Sequence, residues 1–375
     1  MAEYLTNTAE LTAVANAIRE KGGTSEQLAC PDGFVAAIQA IQTGVPLQII
    51  VTTSAGATVT ATKGSKTVSG TADASGNCTL TVDEAGTWTV TAATASITKT
   101  SDVVVGISNV DLPLVDSVLN NNSWETIKKV SDAGQGENYW SVGDRKAVTL
   151  NGTVGKLSLS NVTTYAFIIG FNHNASVEGA NRIHFQLAKT ALSGGKDVAL
   201  CDSKYNSTVS TTGYFSMNSG QTNSGGWKSS QMRTNICGTS LSSYSGTIIA
   251  VIPEALRAVL KSVTKYTDNT GGGGTTASYV TATTDYFFLL SEYEVFGSIK
   301  YANNNEKNKQ AKYAYYSAGN SKIKYKHDGT STAVRWWLRS TSASNSNRFV
   351  SVSAGGAAYH ADASLSLGFA PGFCV

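Results

Sequence analysis

The stretch RWWLRSTSAS, residues 335–344, decides how the fold of this chain is interpreted. It places two tryptophans between two arginines and then continues in small polar residues. From position 338 to position 375 the chain contains no Lys, Glu, Gln, Met or Trp. Rigid aromatic anchors followed by short hydrogen-bonding side chains are typical of a fixed scaffold that presents an adaptable surface.

The bulky residues of this stretch are predicted to anchor the scaffold. In a strand, successive side chains point to opposite sides, so Trp336 and Trp337 would face different ways. One indole would then fill the core while the other supports the surface; the alternative is that both lie in the core. Arg335 and Arg339 are predicted to hold neighbouring loops through carbonyl or carboxylate oxygens.

Composition narrows the class of protein. The 375 residues carry 29 basic and 26 acidic side chains, which gives no sign of a nucleic-acid partner. Charged residues make up only 15%, so hydroxyl and amide groups supply much of the polarity, as in all-β or loop-rich proteins. The start MAEYLTNTAE lacks the features of a signal peptide, and no apolar run is long enough for membrane insertion. Five scattered cysteines predict reduced, mostly buried thiols.

Residues 1–45 are predicted to form a helical attachment or oligomerisation segment of two short helices. The first helix has an apolar face of four residues: Leu11, Val14, Ala15 and Ile18. The second begins at Pro31 and ends before Gly44. Helices this short cannot bury their apolar faces on each other alone. They therefore pack against another copy or another protein, or else they cap the domain that follows.

Residues 46–108 change to alternating Thr, Val and Ala. Five runs, from ATVTAT at 57–62 to SITKTS at 96–101, have the period of two that is typical of strands. Glycine-containing turns separate them at short, even spacing. This rhythm predicts an immunoglobulin-like β-sandwich with Trp88 in its core, acting as a spacer or adhesive module.

Residues 109–375 are predicted to be a large α+β domain. Ser123 caps a helix that begins at Trp124, and strands follow from KAVTLN to RIHFQLA. A second helix is predicted from Pro253, which suits a first-turn position. The segment TGGGGTT, residues 270–276, is predicted to be a flexible loop, because it lacks the G-K-[ST] of a phosphate-binding loop.

Few residues of this domain suggest catalysis. Glu292 and Glu294 are predicted to point the same way on one strand, at a separation of about 7 Å that overlaps the carboxylate spacing of inverting glycosidases. Such pairs are also common as structural features. Lys322, Lys324 and Lys326 alternate along another predicted strand and protect its edge, or else dock an anionic polymer. The four histidines show no metal-ligand spacing, so no catalytic residue, metal or cofactor is expected.

The pattern WWLRSTSASNS, continued by SLGFAPGFCV at 366–375, resembles the C-type-lectin-fold domain that ends many phage and prophage tail proteins of Gram-positive bacteria. That family carries W-W-L-R-S-P and a G-x-x-P-x-F ending; here Thr341 replaces the first proline, and Pro371 lies in the ending. Upstream motifs such as YWSVGD, NSGGWKSSQMR and ATTDYFFLLSEYEVFG extend the likeness over nearly all of residues 111–375. The helical start is similar to tail and baseplate proteins of such phages.

The resemblance implies a multidomain tail protein with three parts: a short N-terminal α-helical segment, an immunoglobulin-like β-sandwich and a C-terminal C-type-lectin-like domain over residues 109–375. It implies a virion-tail location and a receptor-binding role toward a bacterial surface glycan or protein. Other tail or baseplate proteins and a homotrimer are the expected partners. The sequence lacks both the cysteine pair of the related formylglycine-generating enzymes and the calcium motifs of animal lectins, so neither chemistry is expected.

The resemblance places the ligand-binding face in the last strands and loops. The predicted ligand-binding residues are Trp337, Thr341, Ser344, Asn345, Asn347, Arg348, Phe349, Ser351, Ser353, Tyr359, His360, Asp362 and Ser364. The predicted structural anchors are Arg335, Trp336, Arg339 and Pro371. Alternation along FVSVSAGG predicts that Phe349 and Ser351 face outward.

The family is also similar to the variable proteins of diversity-generating retroelements. Changes at adenines in an asparagine-type codon never yield Lys, Glu, Gln, Met or Trp, and all five are absent from 338–375. A family preference for small residues explains the same gap, so both explanations stay open. The other functions considered are a tail-associated glycan hydrolase using Glu292 and Glu294, and a purely structural virion protein.

Overall fold

The computed structural model describes residues 8–22, 47–83, 86–105, 110–112 and 114–375. It divides into two compact units, which we call unit 1 (residues 1–114) and unit 2 (residues 115–375). Most of the regular structure is β-sheet, with few and mostly short helices. The chain is therefore a mixed α/β protein of more than one unit, as its composition and strand rhythm predict.

The first predicted helix is present as α1, Thr8–Gly22. Ala15 and Ile18 are buried and Leu11 is half-buried, which gives one apolar stripe with the spacing of a helix face. Val14 was expected in this stripe, but it is 49% exposed, because the stripe runs through positions 11, 15 and 18 and leaves Val14 beside it. The second predicted helix, from Pro31, lies outside the described residues.

Among its described residues, unit 1 contains seven strands in two sheets. They are β1 (Leu47–Thr52), β2 (Thr58–Lys63), β3 (Lys66–Thr71), β4 (Asn77–Val82), β5 (Gly86–Ala93), β6 (Thr98–Val105) and β7 (Val110–Asp111). One sheet has the order β4-β1-β7 and the other β3-β2-β5-β6. The five predicted strands correspond to β2–β6, whereas β1 and β7 were not predicted.

The apolar core of unit 1 follows from the alternation of its strands. Along β5 the side chains of Trp88, Val90 and Ala92 are fully buried, and the threonines between them point outward. Ile49 and Val51 of β1 belong to the same cluster, so the core joins residues of both sheets. The predicted position of Trp88 in this core is confirmed.

Unit 2 contains short helices and thirteen strands. The α-helices are α2 (Trp124–Asp132), α3 (Gly136–Tyr139), α4 (Ala175–Glu178), α5 (Gly226–Ser229), α6 (Ile248–Val251), α7 (Glu254–Arg257), α8 (Glu292–Phe296) and α9 (Ala314–Ser317). The strands are β8 (Arg145–Val154), β9 (Leu157–Phe171), β10 (Ile183–Lys189), β11 (Val198–Ala199), β12 (Val263–Asp268), β13 (Val280–Asp285), β14 (Phe287–Phe288), β15 (Lys324–Lys326), β16 (Gly329–Val334), β17 (Trp336–Thr341), β18 (Arg348–Val352), β19 (Ala358–Asp362) and β20 (Gly372–Cys374).

The largest sheet of unit 2 is antiparallel and has the order β14-β20-β10-β9-β8. Helix α2 packs Trp124 edge-on against Phe185 of β10 and Phe373 of β20. The Ser123 hydroxyl accepts a hydrogen bond from the Thr126 N–H, which confirms the predicted helix cap. Three smaller sheets have the orders β11-β15-β16, β12-β13 and β17-β18-β19.

The stretch RWWLR forms most of β17, and both of its tryptophans are fully buried. The Trp336 indole N–H donates to the Lys322 carbonyl at 2.9 Å, and the Trp337 indole N–H donates to the Phe215 carbonyl at 2.9 Å. The two indoles thus fix segments that are distant in sequence. Of the two alternatives for this pair, the one with both tryptophans in the core is confirmed, because β17 is covered on both sides.

Other local predictions for unit 2 are also corrected. The helix predicted from Pro253 has only four residues, Glu254–Arg257, because the chain turns into β12 at Val263. Lys324 does not belong to an exposed row of lysines: β15 is the middle strand of its sheet, and the Lys324 side chain is buried. No helix within the described ranges is long and apolar enough to cross a membrane.

Candidate functional site

A buried charge network lies beside β17 and supports the surface next to it. Arg339 is fully buried, and its guanidinium donates to both carboxylate oxygens of Glu294, to the Thr267 hydroxyl at 2.7 Å and to the Leu289 carbonyl at 2.8 Å. Lys265 donates to Glu294 at 3.0 Å and to Glu178 at 2.6 Å. Two cations therefore face two carboxylates in the core.

The network keeps Glu294 ionised. Burial acts to raise the pKa of Glu294, but the adjacent Arg339 guanidinium and Lys265 ammonium outweigh it and hold that pKa below its usual value. Helix α8 begins here with a capping box, in which Ser291 and Glu294 bond to each other's backbone N–H. The predicted anchoring role of Arg339 is confirmed by these contacts.

Glu292 supports a loop. Its carboxylate accepts hydrogen bonds from the backbone N–H groups of Lys300 at 3.0 Å, Tyr301 at 3.0 Å and Ala302 at 2.7 Å. Burial raises the pKa of this carboxyl, and the three N–H donors oppose that rise. Glu292 and Glu294 lie on α8 and are both fully buried, so the prediction that they point together from a strand is wrong. Both carboxylates are committed to internal contacts and present no surface to a glycan.

Three buried side chains have the residue types of a metal site. Ligand-type atoms of His173, Glu178 and His184, which all belong to the stretch of residues 173–184, lie within 4.8 Å of one another. The Lys265 ammonium lies 2.6 Å from the Glu178 carboxylate and already supplies a cation there. Burial holds the pKa of His184 well below its usual value, so this imidazole is neutral. Sequence reasoning missed the cluster, because spacings of five and six residues are not a recognised metal-ligand pattern. The path of the chain through α4 into β10 brings the three side chains together.

A partly exposed cluster, here called the Arg348 face, lies on the sheet β17-β18-β19. Arg348 Nε donates to Asp362 Oδ1 at 2.9 Å, and Arg348 Nη1 lies 3.1 Å from His360 Nε2. The Tyr301 ring lies beside the His360 ring, with centroids 4.4 Å apart and planes 31° apart. More than a third of the Arg348 and Asp362 side chains is exposed, so this cluster can contact a ligand.

His360 is uncharged in the Arg348 face. Partial burial and the neighbouring Arg348 guanidinium lower its pKa, so the ring is neutral at pH 7. Because a guanidinium only donates, His360 Nε2 accepts the Arg348 hydrogen bond. The proton then lies on Nδ1, which is 3.1 Å from the Ser342 hydroxyl oxygen and donates to it. The face thus combines one cation, one carboxylate, a neutral imidazole and an aromatic ring.

Residues 204–375 match a family model described as a domain of unknown function (DUF6273). No curated protein matches the chain. The DUF6273 region contains Arg339, Glu294, Lys265 and the whole Arg348 face. It does not contain β8, β9 and β10, which complete the large sheet of unit 2.

The predicted ligand-binding residues of the DUF6273 region fall into two groups. Those with exposed or half-exposed side chains are Ser344, Asn345, Asn347, Arg348, Ser353, Tyr359, His360 and Asp362. Those that are buried are Trp337, Thr341, Phe349, Ser351 and Ser364. The buried group is removed from the predicted face. The prediction from alternation that Phe349 and Ser351 face outward was wrong, because β18 is the central strand of its sheet and both of its sides are covered.

Tyr359 and His360, which are adjacent in sequence and were both predicted to bind the ligand, lie on opposite sides of the sheet. His360 and Asp362 point to the same side of the sheet as Arg348, whereas Tyr359 points to the other side and is 45% exposed. Tyr301 takes part in the Arg348 face, and sequence reasoning missed it. Only the fold brings the loop before Ala302 against β19, so no local pattern around Tyr301 indicated this role.

The remaining predicted anchors hold neighbouring loops. The Arg335 guanidinium donates to the Asn206 side-chain oxygen, and the Arg335 backbone N–H donates to the Tyr205 hydroxyl at 2.8 Å. The Pro371 carbonyl accepts from the Leu187 N–H at 3.0 Å, which joins the segment before β20 to β10. These contacts agree with the anchoring roles predicted for Arg335 and Pro371.

Proposed function

We propose that this protein is a receptor-binding protein of a phage or prophage tail that binds a ligand on the surface of a Gram-positive bacterium. Unit 2 is then a C-type-lectin-like domain, and its Arg348 face contacts the ligand. Unit 1 is an immunoglobulin-like spacer, and the helical start attaches or oligomerises the protein. No catalytic step and no cofactor belong to this function.

The observation that carries the proposal is the construction of the Arg348 face. Its half-exposed groups are an aromatic ring, a neutral imidazole and a guanidinium paired with a carboxylate, surrounded by Ser and Asn side chains. On the neighbouring strand β17, Arg339 forms a fully buried ion pair with Glu294. Adaptable hydrogen-bonding groups on a rigid support are the general features of a recognition surface.

The proposal includes an assembled location in the virion tail. A single face of this size binds weakly, so a homotrimer at the tail tip would gain avidity through simultaneous contacts. The mass of the purified protein, measured by sedimentation, tests this part, and a monomer would count against it.

Retroelement diversification of residues 338–375 requires an imperfect repeat near the gene that differs mainly at adenines; sequencing of that region tests it.

Binding of the purified protein to a panel of Gram-positive bacteria tests the main proposal. The wild type is compared with a variant that combines Arg348→Ala and His360→Ala, two residues of the Arg348 face. The control combines Lys326→Ala and Asp328→Ala, which removes an exposed ion pair from another part of unit 2. Equal melting temperatures for all three proteins would show that the folds are intact.

Selective binding that is lost only in the Arg348/His360 variant would support the proposed face. Equal binding by all three proteins would overturn the assignment to this face. A wild type that adsorbs to none of the strains, even as an assembled tail, would favour a purely structural virion protein. Release of reducing sugar that Glu292→Gln abolishes would instead establish the hydrolase.

A further inference from the structure

The loop of residues 342–348 joins β17 to β18 and borders the Arg348 face. Its main chain is tied to the scaffold at several points. The Ala343 N–H donates to the Tyr301 carbonyl at 2.8 Å, and the Asn347 carbonyl accepts from the Ala363 N–H at 2.8 Å. The loop also closes on itself, because the Ser342 N–H donates to the Arg348 carbonyl at 2.9 Å.

Asn223 provides the central attachment of this loop. Its side chain is fully buried, and its Nδ2 donates to the carbonyl oxygens of Asn345 at 2.8 Å and of Arg348 at 2.9 Å. The Asn223 backbone N–H donates to the Ser346 carbonyl at 2.8 Å. Every one of these acceptors is a main-chain oxygen, so the attachment does not depend on the side chains of the loop.

Asn223 also holds the glycine-rich segment of residues 270–273. Its Oδ1 accepts from the Gly272 N–H at 2.7 Å. Gly271 has a φ of +65°, and a Cβ atom on it would lie 2.0 Å from the Asn223 carbonyl oxygen. This close approach requires glycine at position 271. The segment was predicted to be a flexible loop, but it is fixed against the loop of residues 342–348 by one shared asparagine.

The side chains between these attachments are directed away from the scaffold. Ser344 and Ser346 are exposed, and Asn345 is half-exposed. The Ser344 hydroxyl donates to Asn345 Oδ1 at 3.2 Å and lies 3.4 Å from the Ser342 hydroxyl oxygen, so these contacts remain within the loop. Different side chains at positions 344–346 would leave the main-chain bonds to Asn223 in place.

We infer that Asn223 is the positioning residue of this loop. It fixes the path of residues 342–348 through main-chain atoms, so that residues 344–346 can be exchanged while the conformation of the loop is kept. The exchange would alter which ligand the Arg348 face selects, and this consequence rests on the proposed function. The fixed path itself does not depend on it.

Amide hydrogen exchange of the full chain tests the inference. The exchange variant combines Ser344→Tyr, Asn345→Asp and Ser346→Arg. The positioning variant is Asn223→Asp, which replaces the donating amide by a carboxylate that repels the carbonyl oxygens of Asn345 and Arg348. Asn235→Asp introduces the same chemical change at an exposed site and is the matched control. The readout is the exchange rate in residues 342–348 and 270–273, compared with that in β8 and β9.

The exchange variant and the control are expected to keep both segments within about twofold of the wild-type rate. Asn223→Asp is expected to accelerate exchange in both segments by about tenfold or more, since it leaves buried carbonyls without donors. If Asn223→Asp does not fold, Gly271→Ala replaces it. The added Cβ meets the Asn223 carbonyl oxygen and so separates residues 270–273 from Asn223.

The inference is overturned if the exchange variant loosens the loop as much as Asn223→Asp. It is equally overturned if neither Asn223→Asp nor Gly271→Ala changes the exchange of these segments. Adsorption of the variants to bacteria distinguishes the role of Asn223 from the proposed binding function of the Arg348 face. A loosened loop with wild-type adsorption would support the role of Asn223 and count against the proposed binding face.

Discussion

Lys324 is a buried lysine whose surroundings do not suit a charge. Its Nζ has no hydrogen-bond partner in the described part of the chain and lies 3.9 Å from the nearest Asp197 oxygen. The rings of Phe167 and Trp336 lie below it, with centroids 5.4 Å and 5.1 Å away. Burial lowers the pKa of Lys324 to about 8, and Asp197 only partly opposes this. A second lysine, Lys189, already pairs with that carboxylate.

We predict that Lys324→Met stabilises the protein at pH 7. The substitution removes a poorly paired buried charge and keeps most of the side-chain volume, which raises the free energy of unfolding by about 1–3 kcal/mol. Between pH 8 and 10.5 the unfolded state of the wild type binds more protons than the folded state, so its stability rises and the gain shrinks. Urea unfolding at several pH values measures this. Lys326→Met, at a half-exposed site, is the control, and a loss of stability in Lys324→Met would contradict the prediction.

The ionisation of Glu306 gives the stability of the protein the opposite pH dependence. It is fully buried, and desolvation raises its pKa to about 7, although it accepts hydrogen bonds from the Asp268 N–H and the Ser340 hydroxyl. Between pH 4.5 and 7 the folded state binds more protons than the unfolded state, so wild-type stability falls as the pH rises through this window.

We therefore expect Glu306→Gln to match the wild type near pH 5 and to exceed it by about 1–3 kcal/mol at pH 8, because the neutral amide carries no buried charge. Chemical unfolding of both proteins across this range gives the comparison. Curves that stay parallel at every pH would show that the ionisation of Glu306 does not control the difference.

At the scale of elements, the ion pair of Arg339 and Glu294 joins β17 to α8. Removal of either partner leaves a buried charge, so Arg339→Met and Glu294→Gln should each lower the free energy of unfolding by about 3–5 kcal/mol. The double variant should cost clearly less than the sum of the two, as a double-mutant cycle in urea would measure. Arg348→Met removes the half-exposed pair with Asp362 and should cost less than about 1 kcal/mol. A larger loss at Arg348 than at Arg339 would refute this ranking.

Local signals explain which elements the sequence predicted. Ser123 is followed by an apolar helical pattern, and the alternation around Trp88 extends over a whole strand, so both elements were found. The segment of residues 291–294 also carries a capping box, Ser-x-x-Glu, which indicates a helix start, but the apolar residues before it favoured a strand. The run of apolar residues led to the prediction of a strand, whereas the structure has the helix α8 at this position.

Contacts between distant segments could not be predicted from local patterns. Lys324 is buried because the Phe167 and Trp336 rings pack against it, and period-two alternation does not show which side of a strand is covered. Phe349 was placed outside for the same reason. Asn223 stands in a polar, glycine-rich stretch whose local sequence does not indicate its bonds to residues 345–348. Of the thirteen predicted ligand-binding residues, eight have exposed or half-exposed side chains; Arg348 begins β18, and His360 and Asp362 belong to the edge strand β19.

At the scale of the whole molecule, each unit has its own apolar core. We predict two separable unfolding transitions in calorimetry. Trp88 is fully buried in unit 1, so Trp88→Ala should lower the stability of one transition by about 3–5 kcal/mol and leave the other unchanged. Trp227, fully buried in unit 2, is the reciprocal control, and Trp227→Ala should lower only the other transition. Joint shifts in both variants would mean that the units unfold together.

The position of β20 has a consequence for how the protein is made. This strand lies between β14 and β10, yet its residues, 372–374, are synthesised long after those of β10. Until they leave the ribosome, the nascent chain exposes two unpaired strand edges, which favour aggregation. A chain that lacks residues 372–374 is therefore expected to keep both edges unpaired and to aggregate or be degraded.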